Sequence, residues 1–226
     1  MEQPSGNQLS NLRASVLGAN DGVVSTAGLI MGMAGANASK ETIVMAGIAG
    51  LVAGAISMGA GEFVSVSSQR DSEKSLVSRH RHHVTTVHDD SDFDELVSIY
   101  IAKGISKKTA RAMVTELENN QKLNIEIFKE LGVDPDDLVN PWQATIASAT
   151  SFTFGASIPL LAAYLSPITL IMPITFGAVL ASLILTGTIS ARIGKANRTR
   201  ASLRIILWGV GAMIITYVIG LIFHTI

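Results

Sequence analysis

Residues 46–70 read AGIAGLVAGAISMGAGEFVSVSSQR, and this stretch decides the fold. It starts as an apolar run rich in glycine and alanine and ends as a polar, charged helix. Positions four apart lie one turn above each other on a helix face. Ala46, Gly50, Gly54, Met58 and Glu62 therefore form one stripe: three small residues, a thioether and a carboxylate. Small residues let helices approach closely inside a bilayer. A carboxylate at the edge of an apolar span is costly unless it has a task. The stretch reads as a membrane helix that keeps a polar task at one end.

The rest of the composition agrees with that reading. The chain has 226 residues, of which only 15% are charged, and a mean hydropathy of +0.39. That is too apolar for an ordinary soluble domain. Charge gathers between residues 71 and 137, while both flanks are nearly uncharged. The pattern is membrane, soluble insert, membrane, divided as residues 1–66, 67–140 and 141–226. A net charge of −1 gives no sign of nucleic-acid binding. With no cysteine, neither disulfides nor thiolate metal sites are available. The polar start MEQPSGNQLSNLRAS lacks a basic segment followed by an apolar one, so it does not read as a cleaved signal peptide.

Taken in order, the first apolar run covers residues 14–36, enough to cross roughly 30 Å of hydrocarbon at about 1.5 Å per residue. Asn20, Asp21 and Gly22 interrupt it early, with apolar sequence on both sides, which favours Asp21 lying within the span. GANASKET is a short turn, and the next helix begins at Ser39 or Lys40. The second span covers residues 42–66, and its many Gly and Ala residues suggest burial among other helices, with Gly50 and Gly54 as packing sites.

The polar insert reads as helices: one continuing from span two to residue 83, then 93–102 ending at Gly104, 106–119, and 121–131. Leu96, Ile99, Tyr100, Ala110, Met113, Val114 and Leu117 recur at helical spacing, so the insert is a small bundle. Three more apolar runs follow at 142–165, 168–189 (interrupted at Pro173) and 203–226. Trp142 and Tyr164 are placed as interfacial anchors. The expected fold is an all-α membrane protein. It has five transmembrane helices and a cytoplasmic helical metal-binding insert between helices two and three.

Orientation follows from basic residues. Arg192, Lys195, Arg198, Arg200 and Arg204 cluster between spans four and five, while the other short loops hold almost none. The basic side faces the cytoplasm, which puts the N-terminus and the insert there too. Asp21 then lies about two turns, or roughly 10 Å, into span one. Met58 and Glu62 end span two at comparable depth.

Two constellations could carry chemistry. In the membrane, Asp21, Met58 and Glu62 combine hard oxygens with a soft thioether, which suits a first-row divalent cation. In the insert, His80 with His83, Asp92 with Glu95, and Glu126 with Glu130 each share a helix face. Imidazole with carboxylate suits iron, manganese or zinc. An isolated pair of this kind is also what a solvated helix face or an intrahelical ion pair looks like. The insert has no Glu-x-x-His, which a helical di-iron oxidase would need on two helices. There is no phosphate-binding loop either, so the chain does not read as an enzyme or an ATP-driven pump.

At GANDG (18–22), GAISMGAGEFVSVSSQRDSEK (54–74), ELGVDP (130–135) and NPWQA (140–144), the chain resembles the vacuolar iron transporter family. The resemblance covers residues 12–223. It implies a homodimer of five-span protomers and proton-coupled export of Fe²⁺ and Mn²⁺ from the cytosol. It also implies a cytoplasmic domain that gathers metal first. By resemblance, the family's span-one aspartate falls on Asp21 and its span-two methionine on Met58. The family's cytoplasmic ligand pairs fall on His80 and His83, Asp92 and Glu95, and Glu126 and Glu130. Two further acidic positions of eukaryotic members are Ala14 and Gly50 here, and Glu62 is the compensating carboxylate. His80 and His83 in place of a glutamate pair shift that site toward nitrogen ligands, bringing Zn²⁺ and Co²⁺ into range. Loading there falls below about pH 6.5, because metal needs neutral imidazole.

The expected partners are therefore divalent metal ions, protons, a second copy of the chain and the bilayer, with no tightly bound cofactor. The setting is a prokaryotic inner membrane, or a vacuolar-type membrane in a eukaryote. A different class fits the same residues: a membrane-anchored dimer that binds or senses metal without moving it.

Overall fold

The computed structural model describes residues 6–86, 94, 97–98, 100–117, 137–193 and 197–225. The described chain is helical throughout: α1 (Gly6–Gly35), α2 (Lys40–Thr86), α3 (Lys107–Leu117), α4 (Pro141–Leu165), α5 (Ile171–Ile193) and α6 (Arg198–His224), with a 3₁₀ turn at Ile168–Leu170 before α5. Among the described residues, five helical segments are long and apolar enough to cross a membrane: Ser10–Gly35, Lys40–Arg79, Pro141–Leu165, Ile168–Arg192 and Ser202–His224. The all-helical reading and the count of five spans hold.

The α1–α2 connection shows how local sequence sets these boundaries. Asn37 takes the left-handed conformation at φ +55°. The Asn37 N–H donates to the Ala34 carbonyl at 3.0 Å and the Ala38 N–H to the Met33 carbonyl at 3.1 Å, the Schellman ending of a helix. Ser39 then caps α2, its hydroxyl accepting from the Thr42 N–H at 3.3 Å. Asn tolerates positive φ where a β-branched residue does not. Asn37→Gly is expected to leave thermal stability in detergent unchanged or slightly raised. Asn37→Val is expected to lower stability by about 1–2 kcal/mol, read as a drop in melting temperature. Equal melting for the two variants would show that the cap is unimportant.

The chain divides into two compact units. The larger comprises Leu9–Ser65 and Pro141–Ile226. Its centre is α1: Val23, Ala27 and Met31 pack against Val179 and Leu183 of α5 and Met213 of α6. Near the Asn37 turn, Ile30 meets Ile43, Ala163 and Ile171. In its most apolar stretch, α1 is 44% buried, whereas α2 is only 17% buried. Within one chain, span two therefore has fewer helix neighbours than its Gly and Ala content suggests. Its glycines do pack, since a Cβ on Gly47 would fall 2.8 Å from Leu160 Cδ1. The opposite face, with Met45, Val52 and Ile56, stays exposed within one chain. Small residues tell how closely a helix packs, not on how many sides.

Two smaller differences have local causes. Pro173 does not interrupt span four but sits in the first turn of α5, where no intrahelical N–H is needed. Arg198, Arg200 and Arg204 belong to α6 itself, capped by the Asn197 side chain, which accepts from the Arg200 N–H at 3.2 Å.

The smaller unit comprises Met1–Gln8 and Val66–Asn140. Within it, Glu73 on α2 accepts from the Val139 N–H at 3.4 Å, and Asn7 accepts from the Asn140 N–H at 3.2 Å. Val97, Ala110 and Val114 form a small apolar core with Tyr100 and Ile105 against it. Ala110 and Val114 are buried as their spacing predicts, while Met113 faces outward. Gly104 at φ +89° ends the preceding helical turn, and Ser106 caps α3 through the Thr109 N–H at 3.2 Å.

Candidate functional site

The site is built where α1 and α2 run antiparallel within the larger unit. Two contacts mark their register. Near one end, Arg13 Nη2 lies 3.6 Å from Glu62 Oε1. Near the other, a Cβ on Gly50 would collide with Leu29 Cδ1. Asp21 is eight residues from both Arg13 and Leu29. Each residue of one antiparallel helix advances against the other by the same 1.5 Å rise, so Asp21 comes level with residues 54–58 of α2.

A cavity of about 390 Å³ opens along this seam. One wall is Leu17, Asp21, Ser25 and Leu29, each four residues on from the last. The other is Gly50, Gly54, Met58 and Glu62. Asp21, Met58 and Glu62 thus line one space, although they come from two helices. Ala46, at the far end of the sequence stripe, is not in the lining. Gly54 leaves room on α2 for the Phe152 ring of α4, which also borders the cavity.

The two carboxylates sit differently. Glu62 is 9% exposed, and its Oε1 is buried with no hydrogen-bond donor among the described residues. At 3.6 Å the Arg13 guanidinium attracts it by charge rather than by a hydrogen bond. A buried carboxylate oxygen so poorly served is unfavourable for folding alone. Asp21 lies in an apolar span, yet its side chain is exposed within one chain. It also borders a second cavity of about 540 Å³ between α1 and α6, and a third of about 320 Å³ beside Asn20, Arg204 and Trp208. Gly22, the next residue, lies against the α4 backbone at Phe152 and Ala156. That contact seats this turn of α1 firmly.

Among the described residues, no three His, Asp or Glu side chains are close enough to share one ion. One chain therefore offers the seam two carboxylates and a thioether. His80 and His83 fall on the α2 backbone, but their side chains lie outside the described residues, as do Asp92, Glu95, Glu126 and Glu130. Arg13 was not singled out from the sequence, because its partner is on another helix and no spacing rule joins them. Ser25 was within reach, one turn after Asp21 on the same face.

Among the described residues, five helices long and apolar enough to cross a membrane, with a carboxylate-lined cavity between α1, α2 and α4, define a multi-pass helical membrane protein. The chain belongs to the VIT family, whose model matches residues 12–221, in agreement with the resemblance carried by GANDG and SMGAGEFVSVSSQRDSEK. It is 33% identical to vacuolar iron transporter homolog 2.1 of Arabidopsis thaliana, covering 91% of this chain and 78% of that protein. It is 34% identical to vacuolar iron transporter homolog 2 of Oryza sativa subsp. japonica, over 95% of this chain and 92% of that one. Vacuolar iron transporter of Acanthamoeba castellanii is 34% identical, over 95% and 79%.

Proposed function

We propose that this chain is a transporter that carries Fe²⁺ and Mn²⁺ out of the cytosol in exchange for protons. The observation that carries the reading is the seam between α1 and α2, where Asp21, Met58 and Glu62 line one cavity. Two oxygen ligands and a thioether favour a first-row divalent ion over calcium or an alkali ion. The names of the relatives support iron as cargo. Carboxylates in such a place also bind protons when metal leaves, which supplies the exchange.

The metal is cargo, and no resident cofactor is needed. The basic residues between spans four and five support a cytoplasmic N-terminus and insert. In the insert, His80, His83, Asp92, Glu95, Glu126 and Glu130 gather metal before it reaches Glu62. A homodimer in the bilayer is part of the same reading, carried over from the family resemblance.

The deciding experiment is flux into sealed vesicles containing the purified full-length chain and a trapped metal-quenched dye. It is run with Fe²⁺, Mn²⁺, Co²⁺ and Zn²⁺ and a parallel pH-sensitive dye. The expected result is saturable quenching with opposite proton movement. Metal binding without flux would overturn transport in favour of a membrane-anchored metal binder. Flux without proton movement would overturn the exchange alone.

A further inference from the structure

We propose that Arg13 is a tethered competitor for Glu62, and that a divalent ion must displace its guanidinium to load the α1–α2 seam. This rests on the transport reading and adds a control on the same site. The guanidinium Nη2 lies 3.6 Å from Glu62 Oε1, and that oxygen is buried with no hydrogen-bond donor among the described residues. Arg13 thus occupies the charge of the carboxylate without satisfying its geometry.

The exposures of the two side chains say which of them moves. Glu62 is 9% exposed and fixed in the cavity wall, whereas Arg13 is 63% exposed and can turn into water. Its charge leaves Glu62 by movement of that long, exposed side chain. Arg13 precedes Asp21 by eight residues, with Leu17 between them at the same four-residue steps. The guanidinium therefore sits on the face of α1 that lines the seam.

The consequence is selectivity by charge. At equal distance, a sodium or potassium ion replacing the guanidinium exchanges one unit charge for another and gains nothing by Coulomb's law. A divalent ion doubles the attraction to Glu62. Arg13 thereby raises the metal concentration needed for loading and excludes monovalent ions that would otherwise sit at Glu62.

The test uses the full-length chain in vesicles with Co²⁺ as the probe. Arg13→Gln is expected to lower the half-saturating Co²⁺ concentration roughly two- to fivefold, the range of a partly exposed ion pair. It is also expected to make flux sensitive to excess sodium, to which the wild type is indifferent. Arg13→Lys keeps the charge and stays near wild type on both counts. Arg13→Met, which retains an apolar stem, is the second neutral variant if Arg13→Gln gives little folded protein. In a Glu62→Gln background, Arg13→Gln is expected to have no further effect on half-saturation, because the pair is already broken.

A purely structural arginine would lower folded yield but leave half-saturation and sodium sensitivity unchanged. Unchanged or raised half-saturation in Arg13→Gln, with normal wild-type flux, overturns the competitor role and leaves transport standing. No metal flux from wild-type vesicles overturns transport, and this inference with it.

Discussion

Asp21→Ala is expected to reduce metal flux roughly a hundredfold or more while leaving the yield of folded protein near wild type. The two halves of that result have separate causes. Asp21 is exposed within the chain, so its side chain contributes little to packing. The register fixed by Arg13 with Glu62 and Leu29 with Gly50 brings its carboxylate level with Met58. Losing even a supporting group around a bound metal typically costs about 10–100-fold, and Asp21 is proposed as a direct ligand. Asp21→Asn keeps the size and removes the charge, so it is expected to lose as much as alanine. Initial rates in vesicles decide the matter, with folded yield measured by size-exclusion chromatography. Flux within about threefold of wild type would remove Asp21 from the path.

Much of this architecture was legible in the sequence because each signal is local. Run lengths set the five spans, Asn37 and Ser39 the first turn, and Gly104 and Ser106 the start of α3. Met58 and Glu62 could be read together because a single helix holds them at four-residue spacing. What was not legible depends on which helices meet. The glycines of residues 46–70 made α2 look central, yet α1 is the helix with neighbours on most sides, packed by α4, α5 and α6. Arg13 and Glu62 are 49 positions apart, and only the fold brings their charges together. The acidic and histidine pairs of the insert are readable as pairs, but a shared ion needs helices facing one another, which periodicity does not supply.

Gly22→Ala is expected to be strongly destabilising and to reduce flux with it. An added Cβ would fall on the Phe152 carbonyl oxygen and 2.8 Å from the Ala156 amide nitrogen of α4. Both are backbone atoms of a regular helix, so neither can swing aside as a side-chain tip would. α1 must then move away from α4. Gly18, which already lies against the Ser148 carbonyl, and Gly155, which lies against Ala19, would lose their close fit with it. Overpacking of this kind costs about 1–3 kcal/mol. In a chain of this size that lowers the melting temperature by about 2–4 °C per kcal/mol. The same displacement moves Asp21, the neighbouring residue, relative to Met58, so flux falls together with stability. Gly177→Ala and Gly211→Ala are the matched controls. Nothing lies within 4 Å of a Cβ at either position, and alanine in a helix is worth up to about 1 kcal/mol over glycine. Those two variants are expected to melt at or above the wild-type temperature and to transport normally. If Gly22→Ala behaves as they do, the α1–α4 backbone contact is not what seats Asp21, and the aspartate's position must come from other contacts of α1 instead.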